Sequence, residues 1–257
     1  MTYEESPTAN ASGLSADQAA AFTRAHPLDP PRRLLGPEVS RVAAYDINLA
    51  RPPPSFSGKL SRTAPGTWLA QTNPNSQDTM LLTDLPLYSA LANDRPKTVY
   101  FEIKVLRMEP VSSSAYAEAD AGVAIGFVAP PYPHWRLPGW ERASLGVHGD
   151  DGRRYVHNNM GGQDFTTSFK NGEVVGIGMT FGAPSSHEPR GHVEVFFTRE
   201  GEKEGLWNLH EERDHDLEGG VDGLEGHRDL FGAVGFFGRV EFETRFRRDQ
   251  WLYRPRG

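Results

Sequence analysis

His148, Asp150 and Asp151 stand together in GVHGDDGRRY, a cluster of residue types that could bind a metal, form a catalytic acid pair or make a tight turn. Paired carboxylates perform acid–base chemistry only when both flank one bond. Asp150 and Asp151 are adjacent, so in extended chain their side chains leave opposite faces and cannot share a substrate. The glycines on either side match the needs of a hairpin turn, because Asp tolerates left-handed backbone angles and Gly adopts them freely. A turn is therefore the expected role, with the residues chosen for backbone geometry.

Other motifs meet the same geometric test. HEERDH, His210–His215, has the composition of a zinc-protease helix, but that motif needs histidines four apart; here they lie five apart, about 140° round a helix. His148, Asp150 and His157 could gather an ion, as could His187 and His192, yet neither spacing singles out a metal. Structural or exposed histidines, no metal and no cofactor are expected. Gly176 and Gly178 give G-x-G without the third glycine of a nucleotide fingerprint, and they sit inside a strand-like run. Glu241 and Glu243 in VEFETRF share one strand face, as the acid pair of a retaining glycosidase would. A third carboxylate continuing that strand would complete the pattern, and the chain has Arg245 there. Glycan binding or hydrolysis by a β-sandwich stays as the alternative reading.

Composition narrows the classes. The 257 residues, 37% hydrophobic and 24% charged, suit a globular domain with appendages. With no cysteine there is no disulfide scaffold, thiolate metal site or cysteine nucleophile. A net charge of −7 argues against nucleic-acid binding. No run approaches a membrane span, and Met1 to Ser15 lacks the basic flank and apolar stretch of a signal peptide. A cytoplasmic chain is expected, or one on the cytosolic face of endosome or vacuole if it belongs to a longer anchored protein.

The positioning elements are mostly strands. Residues 1–31 read as a flexible N-terminal arm in which ADQAAAFTRAH offers a helical turn or two. Two proline clusters, in LDPPRRLLGPE and NLARPPPSFSGKL, oppose helices and interior strands, so 32–67 is expected to be an extended, proline-rich segment packed on the domain. PPPSF is a weak polyproline ligand and reads better as linker. VYFEIKVLRM alternates Tyr100, Glu102 and Lys104 against Val99, Phe101, Ile103 and Val105, the pattern of a half-buried strand. AGVAIGFV, EVVGIGMTF, HVEVFFTREGEKEGLWNL with a turn at Gly201, and LFGAVGFFGRVEFETRF hinged near Gly238 continue the series. Such spacing indicates an all-β antiparallel sandwich. The carboxylate-rich run from Glu200 to Asp229 reads as a solvated loop, or else as an acidic surface for a basic partner.

Taken in order, VYFEIKVL, GVAIGFV, RLPGWERASLGVHGDDGRRY, FKNGEVVGIGMTF, VEVFFTREGEKEG and DLFGAVGFFGRVEFETRF, closing with WLYRP, resemble the SPRY domain, core of the B30.2 family, over roughly Trp68 to Pro255. The stretch LPGWERASLGVHGDDG is most similar to the branch containing Ran-binding protein M and the fungal endosomal and vacuolar sorting adaptors of a HECT-type ubiquitin ligase. The resemblance implies a bent, concanavalin A-like sandwich over 68–257 with an irregular N-terminal extension. It also implies a non-enzymatic module that binds a short protein or peptide segment through loops at one rim, as an adaptor or substrate receptor in ubiquitin-dependent sorting or degradation. In related ubiquitin-ligase receptors a Trp-Gly pair lines the peptide pocket; Phe237 and Gly238, preceded by Phe236, occupy those positions. Phenylalanine there keeps the apolar platform and loses the indole N–H. The second wall corresponds to PYPHWRLPGW, where Tyr132, His134, Trp135 and Arg136 supply residue types that dominate interfaces. LPLY, Leu85–Tyr88, has the form of a ligase-docking motif but lies among residues expected to pack.

Overall fold

A computed structural model describes residues 12–92, 97–108, 121–182, 192–211 and 219–255. In chain order it contains α1 (Gly13–Ala25), α2 (Gly36–Ala43), β1 (Gly58–Ala64), β2 (Thr67–Thr72), β3 (Thr79–Leu82), β4 (Lys97–Met108), β5 (Gly122–Val128), β6 (Ser144–His148), β7 (Arg154–Val156), β8 (Val174–Phe181), β9 (Val193–Arg199), β10 (Glu202–Asn208), β11 (Phe231–Phe237) and β12 (Val240–Arg245). The strands form two antiparallel sheets, ordered β1-β2-β12-β4-β8-β9-β10 and β3-β11-β5-β6-β7. Turn chemistry sets the register. Glu200 and Gly201 both take positive φ between β9 and β10, as a two-residue hairpin requires, and Gly238 does so between β11 and β12.

The core lies between the sheets, where Phe101, Ile103, Phe127, Ile177, Phe197 and Phe236 are fully buried or nearly so. Each such side chain contributes about 1.5–3 kcal/mol of transfer free energy. Both outer faces are also covered in part, which alternation alone does not foretell. Tyr100 and Glu102, expected on the solvent face of β4, are each 1% exposed because the C-terminal segment crosses them. Trp251 packs edge-on against Tyr100 at 4.9 Å. The Glu102 carboxylate accepts from the backbone N–H groups of Leu252 (2.8 Å) and Tyr253 (2.9 Å) and from the Tyr100 hydroxyl (2.9 Å).

The N-terminal third is more ordered in secondary structure than its prolines suggest. Helix α1 runs for 13 residues instead of a turn or two, capped by Ser12, whose hydroxyl accepts from Ser15 N–H at 3.2 Å. LLGPEVSRVA, expected to be extended, forms α2. Its proline lies in the first turn, where no N–H partner is needed, and Glu38 accepts from the Leu35 N–H. Downstream, β1 and β2 add a hairpin to the larger sheet, and Leu49 bridges Thr83.

The described part of the acidic run is not a solvated loop. Leu224 is wholly buried, and Asp229, 7% exposed, accepts from the Arg32 and Ala90 N–H groups at 2.9 Å each. Glu212, Asp214, Asp216 and Glu218 lie outside the described residues, as do the second half of HEERDH and His187. Among the described residues, no helix is long and apolar enough to cross a membrane.

Candidate functional site

The HGDDG segment is the β6–β7 turn. Gly152 takes φ +74° and its N–H donates to the His148 carbonyl at 2.9 Å. Asp151 accepts from Arg153 N–H at 2.8 Å and from the Tyr155 hydroxyl at 2.6 Å, so its carboxylate ties the turn to the strand that follows. Gly149 has no room for a side chain, since a Cβ would lie 2.3 Å from the Phe169 ring. His148 is buried, stacks on Tyr155 at 4.0 Å and bonds through Nε2 to the Pro138 carbonyl at 2.9 Å; His157 Nδ1 bonds to the Gly220 carbonyl. These two rings are thus engaged in packing and backbone contacts.

PYPHWRLPGW forms a third layer laid over the outer face of the smaller sheet. Glycines make this possible: a Cβ on Gly146 would lie 2.6 Å from the Pro138 carbonyl oxygen, and one on Gly235 would lie 2.6 Å from the Pro138 ring. Tyr132 closes over Met80, Val128 and Ala233, and its hydroxyl donates to the Leu137 carbonyl at 2.5 Å. Arg136 is 1% exposed, bonds through Nε to Glu141 at 2.9 Å, and holds its guanidinium 4.3 Å from the Trp140 ring centroid. Burial pushes the Glu141 carboxyl upward, while the adjacent Arg136 pulls it down. Leu137, Trp140, Tyr155 and Phe237 form a separate aromatic cluster beside this pair.

Tyr132, Arg136, Phe237 and Gly238 are therefore brought to one corner, but all four are buried. Phe236 is not with them. Successive strand residues point to opposite faces, so Phe236 enters the core against Phe242 while Phe237 faces outward over Gly122. A partner surface cannot include Phe236 without opening the sandwich. His134 and Trp135 are half-buried at the crest of the loop. His134 Nδ1 meets the Ser55 hydroxyl at 2.9 Å, and Trp135 packs edge-on against Phe22 of α1 at 5.6 Å.

Asp78, just before β3, was not singled out by its sequence context. Its carboxyl is half-buried and makes no hydrogen bond among the described residues. Burial pushes its pKa up to about 7, helped by the Asp150 charge and opposed by Arg136. Nη1 of Arg136 is buried with no acceptor among the described residues. Two polar groups with unspent bonding capacity thus lie near enough to interact electrostatically at the corner formed by the 73–78 loop, the β6–β7 turn and the β11–β12 turn. LPLY is no such surface, because all four of its residues are buried.

Glu241 and Glu243 do share a face of β12. Their neighbours across the sheet are Gln71 and Arg107 for Glu241, and Leu69 and Lys104 for Glu243. Glu243 accepts from Arg245 at 3.1 Å and Glu241 from Gln71 at 3.0 Å. Cations and an amide occupy the places where a hydrolase would set its third acid.

Fold and site together define an antiparallel β-sandwich with a loop layer on one sheet and a corner of connecting turns. Residues 98–211 match the SPRY domain family. It is similar to a SPRY domain-containing protein of Schizosaccharomyces pombe, 29% identical over 50% of this chain and 27% of that protein. Protein SSH4 of Vanderwaltozyma polyspora is 27% identical over 50% of this chain and 19% of its own length. A Ran-binding protein M homolog of Arabidopsis thaliana is 34% identical over 40% and 18%. The chain thus spans about a quarter or less of the length of these relatives. A crystal structure of a human SPRY domain aligns with 73% of this chain and 94% of its own, at 20% identity and a TM-score of 0.44.

Proposed function

We propose that this chain is a non-enzymatic module that grips a short segment of a partner protein at the corner around Asp78, with His134 and Trp135 as its aromatic border and Phe237–Gly238 as its base. SPRY domains are protein-interaction modules, and the relatives include an SSH4 protein and a Ran-binding protein M homolog. The carrying observation is the pairing of Asp78, whose carboxyl is pushed up to about 7, with a buried Arg136 whose Nη1 lacks an acceptor. An extended peptide supplies donors along its backbone, so a bound segment can satisfy the half-buried Asp78 carboxyl, while buried Arg136 acts on it electrostatically from behind. Adaptor or substrate-receptor work in ubiquitin-dependent sorting or degradation, on the cytosolic face of endosome or vacuole, is the setting we assign. The domain division 1–31, 32–67 and 68–257 belongs to the same proposal.

A photo-crosslinking residue at exposed Gln77 or Arg239, with a control at exposed Glu202 on β10, tests the surface. Cross-links expected at 77 and 239, absent at 202 and lost in Asp78→Arg, would support the corner. Equal cross-linking at all three, or none lost with the charge reversal, refutes it. Cross-linked species without ubiquitin-ligase or sorting components would overturn the assigned setting alone.

A further inference from the structure

The end of the sandwich away from this corner carries a cavity. Strand β4 runs from Met108, opposite Val240 beside the β11–β12 turn, to Lys97 at the far end. There α2, the Ser89–Ala92 segment and the turn after β12 enclose about 470 Å³ that is open to solvent. That size falls in the range of binding pockets.

The cavity is apolar inside and cationic at its border. Ile47 and Leu87 are buried core residues that form part of its lining. Val39, Val42 and Ala43 lie three and four apart on α2, so one apolar stripe of that helix faces the cavity. No residue of α2 is fully buried, and Val39 and Leu91 are 50% and 52% exposed. Arg33, Lys97 and Arg248 line the space, and among the described residues no carboxylate does, in a chain of net charge −7. Lys97 lies 5.5 Å from the Tyr88 ring centroid, and Arg248 lies 4.5 Å from that of Tyr45 and bonds to its hydroxyl.

Among the described residues, the acids on neighbouring elements are committed elsewhere, Asp46 to Arg41 and Arg62, and Asp249 to Arg247. Glu38 is held by Arg32 and the Leu35 N–H, Asp84 by Arg41 and the Asn48 N–H, and Asp229 by two backbone N–H groups. None of them lines the space.

We infer that this cavity docks an amphipathic segment of a partner protein, in which carboxylates flank two or three aliphatic side chains. Aliphatic groups fill the α2 side of the pocket while the carboxylates meet Arg33 and Arg248. The half-exposed Val39 and Leu91 extend the apolar surface beyond the mouth, which suits a peptide lying across it better than an acyl chain that would be left wet. The site is separate from the corner around Asp78 and does not rest on that reading.

The test is an array of degenerate twelve-residue peptides with the same Leu, Ile, Val and Phe positions. The remaining positions are Asp/Glu in one set, Lys/Arg in a second and Ser/Gly in a third, and all are probed with the full chain. The acidic set should retain at least about tenfold more protein than the basic set, equivalent to about 1.4 kcal/mol. Arg33→Glu/Arg248→Glu, at two exposed positions, should abolish that preference, and Leu91→Ser should weaken retention about threefold. Asp78→Arg should leave it unchanged. Equal retention of acidic and basic sets, or insensitivity to the charge reversal, overturns the inference. Loss with Asp78→Arg reassigns the binding to the other corner and overturns it as well. So does charge-dependent sedimentation with phosphatidylserine vesicles in the absence of peptide retention, since the site would then recognise a membrane surface. Circular dichroism of each variant confirms the fold.

Discussion

Replacing Asp78 with Asn should change the pH dependence of stability in a way that isolates one carboxyl. In the folded chain burial pushes its pKa up to about 7, while in the unfolded chain it returns to about 3.9. Between those values the folded state keeps a proton that the unfolded state has released, so stability falls as pH rises through the window and levels off above it. A gap of roughly three pH units is worth about 4 kcal/mol at most. The carboxyl is only half-buried and Arg136 lies nearby, so solvent screening reduces this to roughly 2 kcal/mol. Asn cannot ionise. Asp78→Asn should therefore match the wild type near pH 3 and exceed it by roughly 2 kcal/mol at pH 8. Urea unfolding of both proteins at half-unit steps measures this, and the difference removes the contributions of Glu102, Glu141 and His134, whose affinities for protons are also displaced by burial. A difference that is flat with pH, or one that grows toward acid, refutes the placement of Asp78. A bound partner that donates to the Asp78 carboxylate should pull its pKa back down, so affinity should fall as pH drops below about 7.

Glu102→Ala should cost about 3–5 kcal/mol in urea unfolding, because two backbone N–H groups and the Tyr100 hydroxyl lose their common acceptor, whereas Glu102→Gln, which keeps an oxygen there, should cost less than half as much. Arg136→Met alone should destabilise by about 3–5 kcal/mol by stranding Glu141, and Arg136→Met/Glu141→Leu should recover most of that loss. Phe22→Ala should remove about 1 kcal/mol of edge-on packing against Trp135, seen as faster proteolysis within residues 12–28 and greater quenching of tryptophan fluorescence by acrylamide.

The β9–β10 hairpin and the β11–β12 turn between the two sheets are readable because each rests on local chemistry. Gly201 and Gly238 punctuate alternating runs, and both occur where positive φ is required. VYFEIKVLRM was readable as a strand but not as one buried on both faces. Its second cover comes from Trp251 and Tyr253, nearly 150 residues later, and only the packed fold brings them to Tyr100 and Glu102. The same limit applies to α2. Proline near a helix start looks like a helix breaker until its position in the first turn is known, and that position depends on Glu38 turning back to Leu35 and Arg32.

The site was legible in its aromatics and illegible in its charges. Tyr132, Trp135 and Arg136 announced a loop rich in interface residue types, but whether Arg136 faces a partner or Glu141 depends on the loop lying flat on glycines of β6 and β11. Asp78 carries no signal of its own, since NPNSQD reads as any polar loop. What distinguishes Asp78 is company: a buried guanidinium and a second carboxylate, supplied by segments some 60 and 70 residues away. Phe236 and Phe237 show the opposite error. Adjacency in sequence suggested one platform, while the period-two geometry of β11 sends the first into the core and the second outward. On the proposed function, recognition at this corner falls to groups that the fold leaves incompletely bonded, and the buried aromatic residues hold them in place.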